Sequence, residues 1–162
     1  SSIEAGHIVM SNGPFLSVSG SSPAATATTA IPGDDLVAKD GTVNLKVSVQ
    51  CPNWLDVNRV QVFINGRPSA KHNYTRKKSP ALFGDENAVV KFKKTMNLSL
   101  KEDAHVIVAT IGEGLTMEDV MGGRYGRRAP MAVSNPIFVD VDGNGFQHNF
   151  DKLDLALPEA EK

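Results

Sequence analysis

Residues 42–51, Thr42-Val-Asn-Leu-Lys-Val-Ser-Val-Gln-Cys51, decide the fold. Val43, Leu45, Val47, Val49 and Cys51 alternate with Asn44, Lys46, Ser48 and Gln50. Successive side chains of an extended chain point to opposite sides, so this period of two predicts a strand with one buried face. Residues 59–64 repeat the pattern with Val60, Val62 and Ile64, and Asn65-Gly66 then supplies the positive φ angles of a tight turn. Working outward, strands are expected over residues 7–11, 15–19, 89–93, 95–100, 105–111 and 131–139. About eight strands separated by turn residues, with almost no helical periodicity, predict an all-β fold. The expected form is an antiparallel sandwich, immunoglobulin-like or fibronectin-like, with long loops and at most one short helix.

The chain has 162 residues, of which 41% are hydrophobic, enough for one domain over residues 1–162 with a core that needs no disulfide or metal. Lys and Arg number 17 against 18 Asp and Glu, a net charge of -1, so bulk electrostatics points to neither nucleic acid nor an anionic membrane as partner. No apolar run approaches the roughly 20 residues that span a bilayer. The single cysteine, Cys51, has no partner for an internal disulfide and falls on the apolar face of its strand, which predicts a buried, inert thiol.

Three stretches break the strand rhythm. Residues 20–30 are rich in Ser, Ala, Thr and Gly and too poor in large apolar groups to pack, so a surface loop is expected. Residues 67–87, with Lys71, Arg76, Lys77 and Lys78, read as a long basic loop. Residues 112–128 hold Thr116 and Asp119 at the spacing of a helix-capping pair, followed by a glycine- and arginine-rich loop around Tyr125.

Catalytic signatures are missing. His7, His72, His105 and His148 are scattered singly, with no His-x-His or His-Glu-x-x-His arrangement, and His72 reads as a loop residue. No Gly-x-Ser-x-Gly elbow occurs, and Gly112-Glu113-Gly114 lacks the third glycine of a dinucleotide cradle. No catalytic or cofactor-binding residue is therefore nominated, and this chain alone is not expected to be an enzyme. The strongest local chemistry is residues 140–151, where Asp140, Asp142, Asn144, the Phe146 carbonyl and Asp151 fall at positions one, three, five, seven and twelve of a calcium loop, with Gly145 at six. Position twelve is Asp rather than a bidentate Glu, and the preceding segment reads as strand rather than helix, so a regular EF-hand is not expected. The same Asp/Asn/Gly composition also makes a plain turn whose side chains bond its own backbone. Calcium and turn are the two readings of this loop.

Taken in order, Gly6-His-Ile-Val-Met-Ser-Asn-Gly-Pro-Phe15, Pro32-Gly-Asp34, Val60-Gln-Val-Phe-Ile-Asn-Gly-Arg67, Ser134-Asn-Pro-Ile137 and the loop from Asp140 resemble the C-terminal β-sandwich of bacterial PHP-type metallohydrolases. These are carbaryl-hydrolase-like proteins named for polymerase and histidinol phosphatase domains. The resemblance implies that the chain is a piece of a larger protein, that the metal-binding histidines and carboxylates lie in a separate N-terminal domain, and that the sandwich is a non-catalytic accessory module whose partner is that catalytic domain. The alternative is an immunoglobulin-like binding module for carbohydrate or protein, with calcium in the Asp140 loop. Aromatics make up only 6% of the chain, and Trp54 sits at a strand end, which gives a sugar-stacking platform little to build on.

Overall fold

The computed structural model describes residues 1–23, 29–85 and 87–150, with Asp119 described by its backbone alone. Two sheets face each other. In the four-stranded sheet, β5 (Thr42–Gln50) runs between β2 (Phe15–Ser21) and β8 (Val90–Ser99), and β3 (Thr29–Ala30) extends the β2 edge. The seven-stranded sheet is organised on β9 (Ala104–Ile111). One side of β9 carries β6 (Arg59–Ile64), which pairs in turn with β7 (Arg67–Thr75). Its other side carries β10 (Met131–Ser134) and β11 (Ile137–Asp140) in series, bordered by β1 (Val9–Ser11) and β4 (Asp35–Val37) respectively. Val43, Leu45, Val47 and Val49 of β5 share one core with Val60, Val62, Val106, Val108, Ile137 and Val139 of the opposite sheet. The period-two reading thus selects the interior residues of β5 and, in β6, Val60 and Val62, while Ile64 is only half-buried and Gln61, off that face, is buried.

Several expectations are corrected. Arg67–Thr75 is not loop but strand β7: Asn65 (φ 50) and Gly66 (φ 75) form the two-residue turn that brings Arg67 opposite Ile64. As an edge strand bearing Pro68 and Lys71, β7 buries only His72, so apolar alternation is lost while pairing remains. His72 is therefore an interior residue with its Nδ1 3.2 Å from the Tyr74 hydroxyl; burial, with Lys71 and Lys94 nearby, lowers its pKa. Residues 89–93 and 95–100 join in the single strand β8. Residues 131–139 split in two at Asn135-Pro136, where proline has no N–H for the ladder. Within 20–30, β2 continues to Ser21 and β3 starts at Thr29, and residues 24–28 lie outside the described residues.

The helix, α1 (Glu118–Tyr125), begins after Met117 without a side-chain cap, so Thr116 is not its N-cap, and Gly122 (φ 66, ψ 177) breaks it midway. One pair departs from antiparallel order: β4 runs parallel to β11, because the chain leaves the first sheet after β2 and β3 and crosses to the other. Gly33 permits that crossing, since at φ 101 a β-carbon would stand 2.5 Å from the carbonyl oxygen of Ala5.

The motifs of the resemblance prove to be ties between distant segments. Asn12 donates to Ala129 O (2.9 Å) and accepts from Met131 N (2.7 Å), while Asn135 donates to Gly6 O (2.9 Å) and Gly33 N to Pro136 O (2.7 Å). His7 and Asp34 meet at 2.6 Å, fixing the N-terminal segment to the crossing.

The interior also holds a charge network. The register of β8 against β5 slips so that Val49 faces Phe92 and Gln50 faces Val90, leaving Lys91 as a bulged residue. Lys91 and Phe92 both turn inward, and Lys91 is 0% exposed. Its Nζ lies 3.8 Å from Asp56 Oδ1, and Arg76 grips the same carboxylate with Nη2 at 2.7 and 2.8 Å. Cys51, nearby, is buried as expected; burial pushes its thiol up to about 11, against the pull of Lys91.

Candidate metal centre

Asp140 is the last residue of β11 and is 3% exposed. The chain then turns through Gly143 (φ 83) and Gly145 (φ 97), and those glycines aim their N–H groups back at it: Gly143 N donates to Oδ1 (2.6 Å) and Gly145 N to Oδ2 (2.9 Å). Burial raises the Asp140 pKa, but the glycine N–H groups outweigh it and hold the carboxyl below its ordinary 3.8. Asp142 is exposed, and its two oxygens accept from the backbone N–H (3.1 Å) and the side-chain amide (2.8 Å) of Asn144.

A third carboxylate, absent from the sequence reading, completes the cluster. Asp103 precedes β9, and the pairing of Ala104 with Val139 sets it beside the end of β11. Its oxygens accept from Val141 N (2.8 Å) and Gln147 N (2.7 Å). Asp103, Asp140 and Asp142 each place an oxygen within 4.8 Å of the others, and among the described residues no other group of three His, Cys, Asp or Glu side chains converges this way. No local signal marks Asp103, because it lies far from the loop in sequence and reaches it through the β9–β11 ladder.

Of the remaining candidates, Asn144 turns its amide nitrogen toward Asp142 rather than offering an oxygen to the cluster. The Phe146 ring packs on Phe138 with centroids 5.0 Å apart. His148 lies against Phe150 (3.9 Å), and Asp151 lies outside the described residues. The four histidines occupy separate parts of the fold. Lys39 lies over the loop, so close to Gly143 that a β-carbon there would meet its Cε at 2.5 Å.

Both oxygens of each clustered aspartate already accept an N–H, which is the turn chemistry of a self-bonded Asp/Asn/Gly loop. A carboxylate oxygen has two lone pairs, so each keeps one for a hard cation, which would also relieve the repulsion among three close negative charges. The chain matches no family model, no curated protein and no solved structure.

Proposed function

We propose that this chain is a non-catalytic β-sandwich module of a larger PHP-type metal-dependent hydrolase, packed against the catalytic domain of the same polypeptide. The observation that carries the reading is a concentration of exposed apolar residues around the β1 edge, in two groups on either side of that strand. Met10 is 62% exposed, Phe15 66% and Met131 46%, with Val9 and Ile31 also exposed. Each group lines its own hollow, one of about 360 Å³ with Val9, Phe15 and Ile31 among others, the other of about 520 Å³ with Met10 and Met131. Such an apolar concentration on a small domain is normal at an interface and unusual in water. The test is the triple variant Met10→Ser, Phe15→Ser, Met131→Ser in the full-length protein. The isolated sandwich should keep its melting temperature and gain solubility, while the full-length protein should lose the cooperative unfolding of its two domains. Unchanged two-domain cooperativity would contradict the reading.

A second reading, an immunoglobulin-like binding module with a weak calcium site, has its own support. The order β3-β2-β5-β8 against β7-β6-β9-β11-β4, with the chain crossing between sheets after β3, favours an immunoglobulin-type topology. The convergence of Asp103 on Asp140 and Asp142 favours a hard cation. Without flanking helices or a bidentate Glu, affinity should be of the extracellular kind, about 0.1 to 1 mM. Calcium should then raise the melting temperature only at millimolar concentration, by mass action on the native state. Asp142→Ala should abolish the shift, and an equal shift in both proteins would place the ion elsewhere.

A further inference from the structure

A cleft of about 510 Å³ opens at the end of the sandwich where β6 begins and β7 ends, a size that suits a small ligand. Asn58, Arg59 and Glu113 line one part, and the turn Thr75-Arg76-Lys77-Lys78 the other. The walls are fixed by the backbone. Lys78 N and Ser79 N bond Thr75 O (3.0 and 2.8 Å), Arg76 N bonds Asn58 O (2.8 Å), and the Asn58 amide clasps Glu113 at both O and N (2.8 Å each).

The cleft concentrates positive charge on a chain that is nearly neutral overall. Of its four cations, Arg76 is committed to Asp56, Val57 O and Gly84 O. Lys77 and Lys78 are exposed and pair with no carboxylate among the described residues. Arg59 holds Glu113 through Nη1 alone (2.7 Å), while its Nε is buried with no hydrogen-bond partner. An unsatisfied buried donor is costly and calls for a reason. A guanidinium held at one nitrogen is also far from the two-point grip it makes on planar or tetrahedral oxyanions. Thr75 Oγ1 accepts from Lys78 N (3.2 Å), which leaves its own proton to donate.

We propose that this cleft binds a small oxyanion, a carboxylate or phosphoryl group, through Lys77, Lys78 and Arg59, with Glu113 serving as the internal anion that the ligand displaces from Arg59. The site is independent of both functional readings above, since it shares no residue with the apolar surface or the aspartate cluster.

The test is a titration of the whole chain with inorganic phosphate, read from the amide shifts of Asn58, Thr75 to Lys78 and Glu113, with sodium chloride at matched ionic strength as control. Saturable shifts confined to these residues are expected with phosphate and not with chloride. Lys77→Glu with Lys78→Glu should weaken binding roughly tenfold or more while leaving the melting temperature unchanged. Glu113→Gln should strengthen it, because the competing carboxylate is gone. A parallel titration with citrate separates the two ligand chemistries by which saturates at lower concentration. Shifts that fail to saturate, that survive the double lysine variant, or that weaken in Glu113→Gln would overturn the proposal.

Discussion

Val47→Asp should abolish folding. Val47 stands at the middle of β5, the central strand of its sheet, opposite Val18 on β2 and Lys94 on β8, and is 0% exposed. Lys94 shares that inward face, but its ammonium is held over the Tyr74 ring, 5.3 Å from the centroid, so pairing it with a carboxylate at position 47 would require drawing a second charge into the core, and burying charge costs several kcal/mol against a total stability of about 5–15 kcal/mol. Circular dichroism of the variant should lack the strand signal, and heating should give no cooperative transition. A soluble variant that melts cooperatively near the wild-type temperature would mean that β5 buries its other face.

The second large effect is expected from Asp56→Ala. This carboxylate neutralises Arg76 at two contacts and sits beside the fully buried Lys91. Removing it takes the shared anion from Arg76 and from the neighbourhood of Lys91, and because Asp56 and Arg76 are partly exposed the loss should be about 1–3 kcal/mol, below that of deleting one partner of a fully buried pair. Lys91→Met removes the charge along with its need for a counter-charge and nearly preserves volume, so it should cost much less. Urea denaturation of both variants decides the matter, and equal losses would mean that packing around Lys91, not charge, stabilises this region.

What the sequence made legible, and what it hid, follows from where each residue finds its partners. The alternation in residues 42–51 survives into β5 because that strand has one face on the core and neighbours on either side, whereas in β6 only Val60 and Val62 keep it: Gln61 is buried as well, its amide donating to Val62 O and Ser69 O, and Ile64 is half-buried. β7 follows a turn that the sequence announces, yet it reads as loop, since an edge strand that buries only His72 needs no apolar period. Lys91 was hidden because a bulge reverses the local period and turns a lysine inward. β4 is three residues whose strand character comes from lying alongside β11, a partner far away in sequence. The candidate metal centre divides in the same way. Asp140 and Asp142 are neighbours in the chain and were legible, whereas Asp103 joins them through the β9–β11 pairing, and Asn144 meets Asp142 through its nitrogen.

Amide hydrogen exchange on the isolated chain and on the full-length protein decides whether another domain covers the sandwich around its β1 edge, as we propose. Residues 8–16 and 128–133 should exchange markedly more slowly in the full-length protein, with the Lys77–Lys78 turn and the Asp140 loop unchanged. Identical exchange across residues 8–16 and 128–133 in the two proteins would contradict the proposal.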